Sequence, residues 1–239
     1  MTTVAVQILA TSFFSTHHAS ALDVVAGRER AVTAPTFPLL VARNRRFTSL
    51  ATQMHIEVCG ALPIDAAAPP ITVFATSHGE IQTAETLIAD FRANALVSSA
   101  RFALSVHNTP SGLYSVAASS TAPSTTITGA NAIAAGWLEA ALTALDERRT
   151  VLLSIADEPV PAVFKGPTQP VGVAAAFLLG PVAPGDGGAQ LAIAPGDDGD
   201  EIDPLQVLAR AVNAATGGAP ATVPLGPIQP GATLELRFA

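Results

Sequence analysis

Charge, aromatic side chains and cysteine are all scarce in this sequence. Of the 239 residues, 13% are charged and 5% are aromatic, whereas about 25% of the residues of an average soluble domain are charged. Alanine, valine and leucine must therefore fill the core. The low charge indicates either a surface that a partner covers or the alanine- and proline-rich composition of a GC-rich genome, and both interpretations stay open here.

The scarcity of cysteine and of basic residues excludes two classes of protein. A single cysteine, Cys59, rules out an internal disulfide. Its place on the apolar face of a predicted helix indicates core packing rather than reactivity. The net charge of −7 argues against a nucleic-acid partner.

No segment predicts a secretory leader or a membrane span. The first lysine or arginine is Arg28, so the N-terminus lacks the basic region that precedes the apolar part of a secretory signal. The longest continuous apolar run, residues 171–179, is too short to cross a bilayer. We therefore expect a soluble, cytoplasmic protein.

Sequence signatures of phosphate, nucleophile and metal sites are also missing. There is no G-x-S-x-G, no Walker A loop and no G-x-G-x-x-G between a strand and a helix. His17 and His18 have no third ligand nearby, so we expect a loop pair. The acidic run at residues 197–203 lacks the spacing of an EF-hand and predicts a solvated loop. We predict no metal and no cofactor.

The most informative stretch is residues 125–145, TTITGANAIAAGWLEAALTAL, which predicts a strand, a tight turn and a helix. The residues of the strand are Thr125, Thr126, Ile127 and Thr128. Gly129 permits the sharp turn, and apolar residues recur at helical spacing from Asn131 onward. Many α/β enzymes place a nucleophile at the start of such a helix, but this chain offers Asn131 there.

Predicted strands and helices alternate along the chain. The strands are residues 4–9, 71–76, 125–128, 151–155, 171–179 and 234–238. The helices are residues 43–62, 81–92, 113–120, 131–145 and 204–215. Residues 11–38 and 181–200 are predicted as loops, and residues 101–106 as extended chain. The alternation indicates an α/β layered fold, and the continuously apolar strands favour a mostly parallel sheet with helices on both faces.

Two groups of polar residues follow predicted strands, where ligand sites of α/β folds collect. His78 and Glu80 are candidates for a base and its orienting partner. We favour a structural turn in which Ser77 or Glu80 caps the next helix, because sequence neighbours rarely adopt catalytic geometry. His107 and Asn108 are expected to be hydrogen-bonded within the fold or at an interface.

Five segments, in this order and spacing, resemble the β-ketoacyl synthase N-terminal-like proteins, short relatives of the condensing enzymes of fatty-acid and polyketide synthesis. The segments are ARNRRFTSLATQM, FATSHGEIQTAETLIADF, FALSVHNTPSGLYSVA, TTITGANAIAAGWLEAAL and VLLSIADEP. The resemblance implies a thiolase-like fold truncated to about one half-domain plus a reduced C-terminal part. It implies a single domain over residues 1–239, with residues 1–165 as the N-terminal half and residues 166–239 as the reduced portion.

The chain departs from the full condensing enzymes at the residues that perform the reaction. In those enzymes, the element that matches residues 125–145 carries the acyl-accepting cysteine at its helix start, and two downstream histidines complete the site. Here Asn131 stands at the degenerate nucleophile position, and no histidine occurs after His107. The resemblance therefore implies a chain that is not catalytic alone.

Such a chain is similar to a chain-length factor, a subunit that pairs with an active β-ketoacyl synthase and helps shape the tunnel for the growing acyl chain. Short bacterial relatives belong to type II systems that make aryl polyenes or related lipids, with an acyl carrier protein as an indirect partner. The resemblance also implies that the strand at residues 125–128 is a sheet edge that pairs across the dimer. An exposed edge of β-branched residues needs such a partner.

Two alternatives from other classes stay open at this point. One is an independent acyltransferase or hydrolase that uses His78 or His107 with a serine such as Ser77 or Ser105. The other is a homodimeric acyl-binding protein.

Overall fold

Eight strands form one sheet in the computed structural model, which describes residues 3–29, 32, 39, 45, 48–164, 171–182, 188–196, 203–217 and 220–238. The strands are β1 (Thr3–Ser15), β2 (Ile71–Thr76), β3 (Ser124–Thr128), β4 (Val151–Asp157), β5 (Val173–Pro181), β6 (Ala189–Pro195), β7 (Ala221–Gln229) and β8 (Ala232–Phe238). The helices of the described residues are α1 (Ala21–Val25), α2 (Leu50–Gly60), α3 (Ile81–Asn94), α4 (Ser99–Ala103), α5 (Thr109–Ala117), α6 (Ala132–Asp146) and α7 (Pro204–Ala215).

The sheet is mixed, and its strand order is β3-β2-β4-β5-β1-β6-β8-β7. β3 and β4 run parallel to β2, which lies between them, whereas the other neighbouring pairs are antiparallel. The α/β layered class is confirmed, but the expectation of a mostly parallel sheet is wrong. β4 and β5 are largely apolar because both of their faces are buried, and an antiparallel pair between two helical layers meets that condition as well.

Helices cover both faces of the central strands. The helices α6, α7 and α1 lie on the face that presents Val73, Leu153 and Phe177. The helices α2 and α5 lie on the opposite face, which presents Phe74 and Leu152. Because successive strand residues point to opposite faces, every residue of β2 and β4 is buried.

Three strands depend on partners that are distant in sequence, and the sequence pattern misplaces them. β1 continues to Ser15, beyond the predicted residues 4–9, because it pairs with β5. β6 lies inside the predicted loop at residues 181–200 and is held between β1 and β8. β7 has no counterpart in the prediction and pairs with β8.

Two predictions on helices also change. The helix predicted at residues 43–62 begins at Leu50, after the N-cap Ser49, and residues 43, 44, 46 and 47 lie outside the described residues. Residues 101–106, predicted as extended chain, contain the end of α4 and a turn. Within the described ranges, no helix is long and apolar enough to cross a membrane.

Candidate functional site

The carboxyl ends of β3, β2 and β4 meet at one edge of the sheet. Thr128 lies opposite Thr76 in the parallel pair of β3 and β2, and β4 runs parallel on the other side of β2. Residues 129–131, 77–80 and 157–158 therefore share this edge. Ligand sites of α/β folds form at such an edge, so the site predicted from the sequence is built from these three segments.

The turn between β3 and α6 carries an amide, that of Asn131, at the helix start where the resemblance predicts a degenerate nucleophile position. Gly129 has a φ of +113°, which glycine adopts far more readily than other residues. Asn131 occupies the N-cap position of α6, is exposed, and makes no side-chain capping bond. A carboxamide is not among the side chains that form acyl intermediates, so this helix start has no group for acyl transfer.

The helix α6, which begins after Asn131, is nevertheless tightly packed on the sheet. A Cβ atom on Gly136 would lie only 2.8 Å from the Cβ of Ala75, so α6 approaches β2 very closely. Trp137 is fully buried, and its ring lies 4.6 Å from that of Phe177 between centroids. The strand, tight turn and helix predicted over residues 125–145 are therefore present, with Asn131 at the helix start.

Asp157, at the end of β4, organises the turn after β2. Its carboxylate accepts hydrogen bonds from Thr76 Oγ1 at 2.9 Å, from the Ser77 N–H at 2.7 Å and from Ser77 Oγ at 2.8 Å. Burial raises the pKa of Asp157, while the hydrogen bonds from Ser77 and Thr76 and the proximity of His78 oppose that rise. The sequence places Asp157 directly after an apolar strand, which is the signal that could have identified it.

The second polar group lies beside this turn. A Cβ atom on Gly79, where φ is +61°, would lie 3.7 Å from the Cβ of His107. Asn108 occupies the N-cap position of α5 without making a side-chain capping bond. The fold thus brings together residues 77–80 and the pair His107 and Asn108, which are separate in sequence.

The two candidate serines are already engaged. Ser77 Oγ donates to Asp157, and Ser105 Oγ donates to the carbonyl of Phe102 at 2.8 Å. Within the described chain, no hydrogen bond joins either serine to His78 or His107, and both histidines are exposed. A serine–histidine pair is therefore not formed at this edge.

Two buried glutamates lie where α2 and α3 begin. Glu158 accepts hydrogen bonds from the N–H of Ala51 at 3.0 Å and from the N–H of Gln82 at 2.9 Å, so one carboxylate caps both helices. Glu80 stands at the N-cap position of α3 but makes no capping bond. Its Oε1 instead accepts a hydrogen bond from Thr52 Oγ1 at 2.6 Å. The sequence pattern does not reveal this arrangement, because Glu158 is distant in sequence from both helices.

Few hydrogen bonds offset the burial of the Glu80 carboxyl group. Burial raises the pKa of Glu80 to about 7, the hydroxyls of Ser49 and Thr52 oppose the rise, and the charge of Glu158 adds to it. Its Oε2 has no hydrogen-bond partner among the described residues. Glu80 therefore keeps its proton to a far higher pH than an exposed glutamate does.

A buried histidine that the sequence pattern did not single out lies in the core. His55 Nδ1 is 2.8 Å from Ser154 Oγ, and Cys59 is also buried. Burial lowers the pKa of His55 to about 3 and raises the pKa of Cys59 to about 12. The imidazole is thus neutral and the thiol protonated at pH 7, which agrees with the prediction that Cys59 is a core residue.

Metal ligands are not assembled in the part of the chain that the structure describes. No group of three or more histidine, cysteine, aspartate or glutamate side chains there could hold a metal ion. His17 and His18 lie within hydrogen-bonding distance of neighbouring hydroxyls. Of the acidic run at residues 197–203, only Asp203 is described, and it caps α7.

A helical excursion, here called the arm and comprising residues 81–106, leaves the site after Glu80 and returns at His107. One residue of α3, Leu87, is buried and none of α4 is, and no residue of the arm belongs to the described core clusters. The large apolar side chains that the arm exposes are Ile88, Phe91, Leu96, Val97, Phe102 and Val106. Because single exposed apolar side chains are common on protein surfaces, it is their number along one excursion that makes the arm a candidate interaction surface.

The strand beside the site is an edge of the sheet. Among the described strands, β3 pairs with β2 alone, and its five residues are exposed or half-buried. Residues 125–128 thus lie in an edge strand of the described sheet, while their pairing across a dimer stays a prediction. Ser124–Thr128 contains no proline and no charged residue, so nothing in the strand blocks pairing with another chain.

Comparison with known proteins gives a family and a fold. The model of the β-ketoacyl synthase N-terminal domain matches residues 18–214. The structure of the ketosynthase (ApeO) in complex with its chain length factor (ApeC) from Xenorhabdus doucetiae contains a similar chain, with a TM-score of 0.70 and 17% identity over 98% of this chain and 99% of that one. The structure of the ishigamide ketosynthase/chain length factor is also similar, with a TM-score of 0.54 and 13% identity.

The second similarity covers 75% of this chain, which spans 59% of the length of the other. No curated protein sequence matches this chain. The structural similarities confirm the predicted thiolase-like fold.

Proposed function

Because this chain belongs to the family of the β-ketoacyl synthase N-terminal domain, we propose that it is a non-catalytic subunit, similar to a chain-length factor, that pairs with an active β-ketoacyl synthase. In this proposal the partner supplies the nucleophile and histidines, and this chain supplies part of the surface against which the acyl chain grows. The partner also receives the acyl carrier protein, so this chain meets that protein indirectly.

The observation that carries the proposal is an intact strand, turn and helix with Asn131 at the helix start, which we take as the degenerate nucleophile position. The other groups that could attack a thioester do not replace the missing nucleophile. Ser77 donates its hydrogen bond to a carboxylate, and Cys59 is a buried, protonated thiol. A chain with this frame and no nucleophile is expected to act through a partner that has one.

Two adjoining surfaces support a protein partner. β3 offers unpaired backbone groups to a strand from another chain, but five residues supply little of the roughly 800 Å² that each partner buries in a stable complex. The exposed apolar side chains of the arm supply further area. α5 follows the arm and contacts β3, where Thr126 Oγ1 donates to Ser111 Oγ at 3.3 Å, so the two surfaces are connected.

We further propose that the complex works in type II fatty-acid or polyketide synthesis in the cytoplasm, with aryl polyenes or related lipids as the favoured products. The similarity to a chain from a ketosynthase and chain length factor complex over nearly the whole of both chains supports this class of partner.

The decisive experiment is a condensation assay with reconstituted subunits. The isolated chain should take up no label from an acyl thioester, whereas a ketosynthase from the same organism, purified with this chain, should condense acyl and malonyl carriers. Turnover by the isolated chain that His78→Ala and His107→Ala abolish would instead establish the independent acyltransferase or hydrolase.

A further inference from the structure

The arm is joined to the body of the protein through polar contacts at its root. The N–H of Gln82 donates to Glu158 Oε1, and Gln82 Nε2 donates to the carbonyl of Pro159 at 3.1 Å. Apolar packing of the arm on the sheet is slight, since Leu87 is the buried residue of α3. The position of the arm therefore depends strongly on these few hydrogen bonds.

The same root contains two buried carboxyl groups, those of Glu80 and Glu158, and the charge of Glu158 acts on Glu80. Glu158 bridges α2 and α3, and Glu80 lies between them with one oxygen on Thr52 and the other, Oε2, without a hydrogen bond in the described chain. Both residues are at least nine-tenths buried, with exposures of 4% for Glu80 and 1% for Glu158. Two carboxylates at such a site repel each other when both are ionised.

Each element packed around Glu80 contributes identifiable groups. The start of α2 presents the hydroxyls of Ser49 and Thr52, and the end of β4 presents Glu158 as the charged neighbour. Asp157 is turned toward Ser77 and Thr76, and His78 acts on Asp157. None of the described ion pairs involves Glu80 or Glu158.

We propose that Glu80 and Glu158 form a carboxylate clamp that holds the arm in its docking position when Glu80 is protonated and releases the root of the arm when Glu80 ionises. In the closed state, the neutral carboxyl of Glu80 lies in the same buried root as Glu158, which caps α3. Burial raises the pKa of Glu158 and the charge of Asp157 adds to the rise, while the N–H groups of Gln82, Ala51 and Leu50 oppose it and favour the anion. Loss of the proton from Glu80 places a second negative charge in the buried root. The arm then opens to hydrate the carboxylate, and its apolar surface loses its fixed orientation toward the partner.

The direction of the pH dependence follows from the two states of Glu80. In the closed arm the pKa of Glu80 is raised to about 7 from 4.5, and we take the lower value for the open, hydrated arm. Between pH 4.5 and about pH 7, Glu80 is therefore protonated in the closed arm and ionised in the open arm. The free energy that favours the closed arm falls as pH rises through this window. Between about pH 5.5 and about pH 8.5, the equilibrium constant for opening should rise about 30-fold.

Hydrogen exchange on the isolated full chain tests the clamp directly. Protection factors, which correct for the intrinsic pH dependence of exchange, should fall by about 30-fold for α3 between those pH values. In Glu80→Gln, which keeps the side-chain shape without an ionisable group, the protection of α3 should not change with pH. Glu85→Gln, on the same helix and outside the root, should behave as the parent chain does.

A second measurement needs no substitution. The carboxyl carbon of Glu80 should titrate near pH 7 in the NMR spectrum of the parent chain. Titration near the value of an exposed glutamate, or equal pH slopes of α3 protection in the parent and in Glu80→Gln, would overturn the clamp.

The effect of the clamp on partner binding rests on the proposed function. The binding experiment distinguishes failure of the clamp from failure of the proposed function. The dissociation constant with the ketosynthase should rise with pH by up to about 30-fold more for the parent chain than for Glu80→Gln. Equal pH dependence in both chains would contradict the clamp and leave the proposed function standing. A chain that pairs at no pH, yet opens its arm as described, would overturn the proposed function and the binding part of this inference.

Discussion

The two edges of the sheet are built in opposite ways. β7 carries Pro224 and Pro227 and has register shifts against β8; prolines and bulges are devices that keep a sheet edge from pairing with another chain. β3 has neither prolines nor charges over Ser124–Thr128 and keeps a regular parallel register with β2. One edge of the same sheet is thus closed to other chains and the other is open.

The difference between the two edges indicates where a partner would bind. An open edge is a hazard for a protein that stays alone, so an open strand beside an apolar arm is best explained by an occupant. Asn131, which we propose as the degenerate nucleophile position, starts α6 just after the same open strand. In the proposed heterodimer, this edge meets the chain that supplies the nucleophile.

A proline introduced on each edge strand tests whether the two edges differ in their ability to pair with another chain. Thr72 donates its N–H to the carbonyl of Pro123, so by the alternation of a parallel ladder the N–H of Thr126 points away from β2. Thr126→Pro should leave the sheet folded and weaken pairing with the ketosynthase at least about 100-fold, because it removes an outward donor and inserts a ring into the interface.

The matched control is Thr222→Pro on β7. Thr222 is exposed and lies two residues before Pro224. Residues two apart in a strand direct their N–H groups the same way, so the N–H of Thr222 points outward, as the nitrogen of Pro224 does. Pairing, measured by calorimetry, should be unchanged. Equal loss in the two variants, or loss only with Thr222→Pro, would contradict the assignment of the open edge.

The next-largest effect concerns the packing of α6 on β2, the strand beside the open edge. Gly136→Ala would place a Cβ 2.8 Å from that of Ala75, and such overpacking should lower the free energy of unfolding by about 1–3 kcal/mol. Gly112→Ala, in α5 with no atom within 4 Å of the added Cβ, should instead be neutral or stabilising by up to about 1 kcal/mol. Denaturant unfolding measures both, and a stable Gly136→Ala would show that α6 is not seated on β2 as described.

The arm should contribute to pairing more than to stability. Phe91 and Phe102 have exposures of 60% and 61%, so replacing either by serine should change the free energy of unfolding by no more than about 0.5 kcal/mol. The dissociation constant with the ketosynthase should rise about tenfold for each. Leu22→Ser, at 54% exposure on α1, is the control and should leave pairing unchanged; a tenfold effect there would remove the special role of the arm.

The smallest expected effect concerns the degenerate site itself. Asn131→Cys should not restore condensation in the isolated chain, because no histidine follows His107 in the sequence to complete the reaction. The measurement is formation of the 3-oxoacyl thioester from an acyl and a malonyl thioester, because decarboxylation alone would release carbon dioxide without condensation. Recovered condensation by the isolated variant would overturn the view that this chain depends on a partner for its chemistry.

Local signals in the sequence predicted the elements that depend on local chemistry. Asp203 caps α7, Pro204 begins it, and Gly217 follows it with a φ of +99°. The strand at residues 125–128, with Gly129 after it, was likewise predictable from β-branched residues and a breaker. Elements of this kind carry their own evidence in a few neighbouring residues.

Long-range pairing and buried polar contacts were not predictable in the same way. β6 and β7 contain prolines and small residues, and they become strands because β8 pairs with both. The contacts of Glu158 with Ala51 and of Asp157 with Thr76 join residues 107 and 81 positions apart. No window of the sequence contains both partners, so the clamp at the root of the arm became visible only in the fold.

The central claim is that this chain is the non-catalytic half of a heterodimer formed through its open edge. Native mass spectrometry of the chain co-expressed with a ketosynthase from the same organism tests it most directly. We predict a one-to-one complex that survives Thr222→Pro and is lost with Thr126→Pro. A chain that remains monomeric or forms only homodimers in the presence of every such ketosynthase would contradict the account.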